Sequence, residues 1–430
     1  MAKLRCSRRC RQTITMLVIP FVCLLGLSMR EITERIAHHN KEVRREAMAR
    51  FLKENPFVVQ LQNRIASRRI RALIERETNG YRLTDESPVK DIGRNIKQMG
   101  SARVYRDIPN CPTDHPLFGP IEVNINKTLN VTMEDVININ RDVKKGGLWR
   151  PSHCRSPRRV GIVIPFRNRE QHLRILLYHL LPLLKRQLLD FQIFVVEQIG
   201  NTTFNKGKLM NAGFLEAIYF GDFHCFIFHD VDLIPEDDRI LYRCPRTPRH
   251  LSVAVDTLDY KLPYDKLVGG VLNMPVDSFI AVNGYSNMFW GWGGEDDEMG
   301  ERIYEIGARI QRPPANIARY KMIIHKKSPA DHYDGVHKLL DTVPKRILTD
   351  GLNSIQYSLK GIHFKKLYTH IWIDVGLPPD YKKNTTQETK SAPDTASEKS
   401  DLPEVKQTDK NNEQWTKSDT TPEKEGSGRS

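Results

Sequence analysis

The sequence predicts an α/β fold built on a parallel-rich sheet, and three observations carry that reading. Short apolar runs of strand type alternate with helical periods between residues 160 and 228. The order strand, helix, strand, helix, strand implies parallel pairing through right-handed crossovers. Polar clusters follow directly on the first and third runs, and ligands of such sheets sit beyond the carboxyl ends of the strands. Further on, Phe289-Trp-Gly-Trp-Gly-Gly-Glu-Asp-Asp-Glu298 interleaves glycine with tryptophan and then sets four acids in a row.

Taken in order, Val160-Gly-Ile-Val-Ile164 is the first strand and ends at Pro165. Leu173 to Leu184 has a helical period, Phe191 to Val196 is the second strand, Leu209 to Phe220 the second helix, and Cys225 to Phe228 the third strand. Asp297 to Ile306 reads as a later helix, and Gly307 suits the position just past its end. Acids in a first turn are favoured by the helix dipole. A cap, however, needs one acid and no tryptophan. The surplus points to a carboxylate at the lip of a substrate pocket, working as a general base. Tryptophan faces stack on sugar rings or close over a pocket, and glycine lets such a loop rearrange.

The chain has 430 residues and a net charge of +14, room for one large domain or two plus tails. Lys3, Arg5, Arg8, Arg9 and Arg11 precede an apolar run from Thr13 to Met29, long enough to span a membrane. The basic flank places the N-terminus in the cytoplasm and the rest in the lumen, as a signal anchor. A cleaved signal peptide, with Gly26-Leu27-Ser28 at cleavage spacing, is the alternative. Either way the chain enters the secretory route. Four sequons agree, at Asn126, Asn130, Asn201 and Asn384. Of seven cysteines, Cys111, Cys154, Cys225 and Cys244 remain in the lumenal part, and an even number suits disulfides. None has CxxC spacing, so zinc is not expected. Residues 30–105 are charged and helical in pattern, with Val43, Ala47, Phe51, Ile65, Ile70, Leu73 and Ile74 forming a loose apolar stripe. Behind an anchor this reads as a solvated stem, and nucleic acid is not an expected partner. After Pro379 large apolar residues all but vanish, which predicts a disordered tail.

Asp230-Val231-Asp232 alternates, so its carboxylates would share a side if the strand continued. Oxygen ligands suit Mn2+ or Mg2+, which also hold substrate phosphates. Arg167 and Arg169 are placed to pair with a phosphate or a carboxylate. Lys206 and Lys208 sit at the start of a helix, where cations oppose the dipole, which makes sense beside an anion. Read alone, neither His325 nor Met322 is a metal ligand: a lone histidine is more often structural, and a thioether matches a hard cation poorly.

Several spaced motifs appear together: Pro165-Phe-Arg-Asn-Arg169, Phe204-Asn205 with Lys208-Leu209, Asp230-Val-Asp-Leu-Ile-Pro235, Tyr242-Arg-Cys244, Pro248-Arg-His250, Gly269-Gly270, Trp290-Gly-Trp-Gly-Gly-Glu-Asp-Asp297 and Asp350-Gly-Leu-Asn-Ser354. In this order they resemble the β1,4-galactosyltransferase family (glycosyltransferase family 7), including its invertebrate β1,4-N-acetylgalactosaminyltransferases. The likeness runs from about Cys111 to Gly376. It implies a GT-A fold with a nucleotide-binding sheet and an acceptor half, in a type II Golgi membrane protein. The organisation then reads as a cytoplasmic tail 1–12, an anchor 13–29, a stem 30–105, a catalytic domain 106–381 and a tail 382–430.

The resemblance also implies Mn2+-dependent, inverting transfer from a UDP-sugar to the 4-hydroxyl of terminal N-acetylglucosamine on glycans. Asp232, Met322 and His325 match the metal ligands. Pro165, Phe166, Arg167, Arg169, Lys206, Asp230, Val231 and Gly270 match donor-binding positions. Trp292 matches the tryptophan that closes over the donor. Glu295 and Asp296 match acceptor-binding acids, with Asp297 beside them, and Asp296 matches the base. Leu340 stands in a poorly aligned part of the acceptor pocket. Cys111–Cys154 and Cys225–Cys244 match the family disulfides. One departure bears on the donor: Leu267 stands where galactose-using relatives carry tyrosine, which leaves room for an N-acetyl group. UDP-GalNAc is therefore the expected donor, with UDP-Gal as the alternative. Lys206 is a second departure, since relatives tend to carry arginine there, and lysine lacks the fork.

Overall fold

The computed structural model describes residues 43, 46, 48–66, 108–112, 116–324 and 338–379. The expected anchor 13–29, most of the stem 30–105, His325, Asn384 and the tail 382–430 lie outside the described residues. Among the described residues no helix is long and apolar enough to cross a membrane.

Two helical stretches open the described chain, α1 (48–54) and α2 (56–66). The short α3 (Ile125–Thr128) and α4 (Met133–Ile139) follow, α4 closed by a capping box between Thr132 and Asp135. β1 (Leu148–Trp149) and β2 (Arg159–Phe166) lead to α5 (Glu170–Arg186), β3 (Asp190–Gln198), α6 (Lys206–Ala217) and β4 (Cys225–His229). Of these, β2, α5, β3, α6 and β4 are the elements that the apolar runs predict. The second helix is shorter at its end than expected, because residues Ile218–Phe220 tighten into a 3-10 turn. A small sheet comprises β5 (Leu233–Pro235), β7 (Ala254–Val255) and β9 (Arg319–Met322), in the order β5-β9-β7. The large sheet adds β6 (Arg249–His250), β8 (Val271–Pro275), β10 (Ser358–Phe364) and β11 (Thr369–Asp374). Its order is β10-β11-β3-β2-β4-β8-β6, with β1 also on β3. β11, β3, β2 and β4 run parallel, while β8 joins β4 antiparallel. Helices α7 (Val276–Ala281) and α8 (Glu295–Glu305) follow β8.

Both faces of the parallel core are covered, which is why its strands are apolar throughout rather than alternating. Ile162 and Ile164 pack in one cluster with Leu173, Leu176, Leu177 and Leu180 of α5. Val163 and Val196 turn the other way and pack with Leu209 and Phe214 of α6. Gly213 lets α6 sit close, since a Cβ there would stand 2.7 Å from Val163 and Val196 methyls. Cys111–Cys154 and Cys225–Cys244 are bonded, and the second ties the first residue of β4 to the loop after β5.

The stem reading needs correction over residues 48–66. Met48, Phe51, Val58, Leu61 and Ile65 are buried in the same cluster as Ile218, Phe223 and Val276. The Arg64 guanidinium donates to the Tyr219 hydroxyl and lies 5.1 Å from its ring centre. The physical reason is the apolar stripe itself, which finds an apolar wall beside α6. Replacing Val58, only 1% exposed, by aspartate should lower the stability of the whole unit by about 3 kcal/mol in urea melts. An unchanged midpoint would show that this stretch is no part of the core.

Candidate active site

β4 stops at His229, so the alternation expected of Asp230 and Asp232 does not apply. The chain turns there, and the two acids take different partners. The buried His229 holds the turn: its Nδ1 donates to the Asp230 carbonyl at 2.8 Å, which leaves Nε2 to accept from the Tyr242 hydroxyl at 2.9 Å. Tyr242 in turn lies 3.0 Å from the Tyr320 hydroxyl of β9. Burial keeps this imidazole neutral, with its pKa pulled down to about 4. The Asp230 N–H donates to the Gly270 carbonyl at 2.9 Å.

Asn205 caps α6 by accepting from the Lys208 N–H at 2.8 Å, which places Lys206 in the first turn. Lys206 Nζ lies 2.8 and 2.9 Å from the two Asp230 oxygens and 3.2 Å from Glu295 Oε1. Burial works against the ammonium, but the carboxylates of Asp230, Glu295 and Asp296 outweigh it and hold its pKa well above the usual lysine range. The anion beside the helix start is thus a pair of carboxylates from two different elements.

α8 begins after Gly294, a left-handed residue at φ 92°, and no side chain caps it. Glu295, Asp296, Asp297 and Glu298 fill its first turn. Asp296 is half-buried, and its Oδ1 accepts from the Asp297 N–H at 2.9 Å. Burial, and then the neighbouring Glu295 carboxylate, push Asp296 up to about 7, with Lys206 pulling the other way. Gly269 is pressed against it: a Cβ there would stand 2.2 Å from Asp296 Oδ2 and 3.4 Å from Leu267 Cδ1. Leu267 and Asp296 therefore share one wall. The Gly269 carbonyl is held by His250 Nε2 at 2.8 Å and by Ser252 Oγ at 2.9 Å. Farther along α8, Gly300 admits the Lys266 carbonyl, and Tyr264 donates to Asp297. Trp292 is 54% exposed, and Gly291, Gly293 and Gly294 around it all take positive φ.

Of the residues matched to a metal, Asp232 and Met322 come together and His325 lies outside the described residues. Leu233 pairs with Met322, and the Asp232 carbonyl accepts from the Ile323 N–H at 2.8 Å. The Met322 N–H donates to Asp256 Oδ1 at 2.9 Å, and the Thr257 hydroxyl lies 3.5 Å from the Met322 sulfur. Among the described residues no three His, Cys, Asp or Glu side chains group to hold a metal by themselves.

Pro165 and Phe166 close β2 and are buried. Arg167 Nη1 donates to the Thr202 carbonyl at 2.6 Å, and its guanidinium lies 5.0 Å from the Phe204 ring centre. Burial, with the Arg169 cation close by, pulls the Arg167 pKa down. Arg169 Nη1 donates to the Asn168 carbonyl at 3.0 Å. Val231 is buried, and Gly270 takes φ 89° where a Cβ would meet Leu233 and Ser252. Leu340 lies in a helical turn beside Leu339, whose carbonyl takes Arg346 Nη2 at 2.8 Å. Asn126, Asn130 and Asn201 of the sequons are exposed, while Thr128 of the first is buried. Sequence reasoning placed His250 in a motif without a role and did not foresee Ser252 or Arg346, because each acts on a backbone or side chain distant along the chain.

Residues 111–245 match the N-terminal region of glycosyl transferase group 7, and residues 249–326 match the N-terminal domain of galactosyltransferase. These matches define a glycosyltransferase. Mouse β-1,4-galactosyltransferase 1 is 43% identical over 277 residues, which is 63% of this chain and 68% of the relative. The human protein of that name is 41% identical over 68% of this chain and 75% of its own length. Human β-1,4-galactosyltransferase 3 is 39% identical over 69% and 76%. The chain belongs to the β1,4-galactosyltransferase family. Among solved structures, the catalytic domain of Drosophila β1,4-galactosyltransferase 7 with xylobiose is 28% identical with a TM-score of 0.45, covering 51% of this chain and 94% of that one. A mutant of it was solved with manganese, UDP-Gal and xylobiose, at 26% identity and a TM-score of 0.44, over 55% and 100%.

Gly269→Ala should cut sugar transfer by about 100-fold, since the new methyl must displace the Asp296 carboxylate. Circular dichroism should be unchanged. Activity within twofold of the parent would show that the contact does not position this acid.

Proposed function

We propose that this chain transfers N-acetylgalactosamine from UDP-GalNAc, with inversion, to the 4-hydroxyl of a terminal β-N-acetylglucosamine on glycoprotein or glycolipid glycans. Its place of action is the Golgi membrane, as a single-pass type II protein with the catalytic domain lumenal. The observation that carries the donor reading is Leu267 beside Asp296 over Gly269. A tyrosine at 267 would fill that corner with a ring and a hydroxyl, whereas leucine leaves space for a 2-acetamido group.

Mn2+ is the proposed cofactor, in keeping with the manganese in the Drosophila relative. Asp232 offers a hard oxygen that suits it, while Met322 at the neighbouring strand end offers a soft sulfur that suits it less and would leave the ion exchangeable. His325 is the expected third ligand. Mn2+ held there would offset the charge of the diphosphate leaving group.

The rest is the work of side chains. Arg167 and Arg169 make the end of β2 electropositive, where a diphosphate would lie. Asp296 accepts the proton of the acceptor hydroxyl as that oxygen attacks the anomeric carbon. Direct displacement needs no enzyme nucleophile, so one base is enough. Lys206 neutralises Glu295 beside it and keeps the acid cluster from repelling the donor. Trp292, on its glycine-rich loop, closes over the bound donor and excludes water.

UDP-Gal is the second reading, since the named relatives are galactosyltransferases. A widened pocket need not reject a smaller sugar, as one added group changes binding by only ~1–3 kcal/mol. Turnover of both donors by the parent and by Leu267→Tyr separates the readings. The parent should prefer UDP-GalNAc and the variant UDP-Gal; a UDP-Gal preference in both would rule out the donor assignment. A chelator should abolish transfer, and Mn2+ should restore it.

The pH profile follows from Asp296. Its carboxyl is held up near 7, so it is protonated, and idle as a base, below that pH. Rates should fall about tenfold per pH unit on the acid side. Glu295→Gln removes an adjacent negative charge and should move the midpoint to lower pH. A flat profile from pH 5 to 8 would refute Asp296 as the base.

A further inference from the structure

Beneath the proposed catalytic acids lies a group of four charges, three of them buried and Arg346 partly so, that the reaction itself does not use. Glu298 stands one turn along α8 from Glu295, and Arg302 one turn farther; both are 0% exposed. Arg302 Nε and Nη2 donate to Glu298 Oε1 at 3.0 and 2.7 Å. Its Nη1 donates to the carbonyls of Val282 and Gly284 at 3.2 and 3.3 Å. The other Glu298 oxygen, Oε2, accepts from Arg346 Nη2 at 2.5 Å.

Arg346 spends its whole fork on this junction. Nη1 donates to Asp350 Oδ2 at 2.7 Å, Nη2 also donates to the Leu339 carbonyl at 2.8 Å, and Nε donates to Thr342 Oγ1 at 2.9 Å. Asp350 in turn accepts from the Ser286 hydroxyl at 2.5 Å and from the Asn287 N–H at 2.9 Å. Residues 286–287 lead into the loop that carries Trp292. One guanidinium thus joins the catalytic helix, the turn before Leu340 and the base of the tryptophan loop. None of its polar partners among the described residues is one of the residues matched to donor binding.

We propose that Arg346 is a positioning residue for the acceptor: it fastens the segment 338–350 to α8, so that acceptor binding and the placement of Asp296 depend on it while donor binding does not. The proposal rests on the transfer reaction assigned above. The two arginines and two carboxylates are balanced, so each buried charge has an opposite neighbour. Planar, several-toothed donation is what lysine cannot reproduce from the same place. Removal of the guanidinium frees Leu339 from Glu298, while Asp350 still holds Ser286 and Asn287 at the base of the tryptophan loop.

The test uses the full chain with Mn2+, UDP-GalNAc and UDP-Gal as donors, and a GlcNAc-terminated oligosaccharide as acceptor. Arg346→Met, Arg346→Lys and the double variant Arg346→Met/Glu298→Gln are compared with the parent. The double variant removes the carboxylate that the single one strands, and so guards against simple unfolding. Arg346→Met should raise the acceptor KM at least tenfold and lower kcat about tenfold. The donor KM, and hydrolysis of the donor without acceptor, should stay within twofold. Arg346→Lys should be intermediate. The double variant should regain thermal stability but not acceptor affinity. Acceptor affinity that returns together with stability, or donor and acceptor KM values that rise together, would overturn the proposal. A parent chain inactive toward every such acceptor would sink the assigned reaction and this role with it, whereas an active parent and an unaltered variant would sink this role alone.

Discussion

One buried ammonium joins the two halves of the site. Lys206 stands between Asp230, at the end of the sheet, and Glu295, at the start of α8. Without it, carboxylates from both elements would face each other in a poorly solvated space, a cost of several kcal/mol. With it, the end of β4 and the first turn of α8 are held in a fixed relation. Asp232, the proposed metal ligand, lies two residues past Asp230, and Asp296, the proposed base, directly follows Glu295. Their separation is therefore set by a third residue that belongs to neither element.

Around this contact the fold supplies rigid backing on each side. His229, Tyr242 and Tyr320 form a hydrogen-bonded line from β4 to β9, which ties the turn at Asp230 to the strand carrying Met322. The Cys225–Cys244 bond anchors the same region from the other end of β4. On the acceptor side, α8 is pinned from above by the 264–270 segment and from below by the Glu298–Arg302–Arg346–Asp350 group. Between these clamps the loop around Trp292 has glycines in left-handed geometry and an exposed indole. The proposed reaction, with a sugar nucleotide and a second sugar, would use this division between held acids and a glycine-rich loop.

The environment of Asp296 is a by-product of the same packing. Its neighbours are acids, and its pKa rises because burial and Glu295 disfavour a further negative charge. The helix dipole and Lys206 act in the opposite sense. The balance leaves a carboxyl group that titrates near neutrality, where proton transfer to a base is most useful.

Periodicity and strand-end polarity were enough to read the parallel core, its two crossover helices and the positions of Asp230, Arg167 and the acid-rich helix. Those features are local: an apolar run, a helical period or a glycine beside tryptophan is visible within about ten residues. The pairing of Lys206 with two distant acids was not legible, because a cation at a helix start looks the same whether it meets solvent or carboxylates. Of the buried residues in 48–66 only Phe51 and Ile65 belonged to the stripe legible in the sequence, and the wall against which they pack was not visible. Gly269 could be seen as one of a glycine pair, whereas its contact with Asp296 exists only once α8 lies across it. Arg346 carries no motif at all, and its partners lie up to sixty residues away along the chain. By itself, then, the sequence determined which elements form and which chemical groups they carry, since both follow from local preference. Tertiary structure alone decided which charges meet and which are buried, since those depend on surfaces brought together from distant parts of the chain.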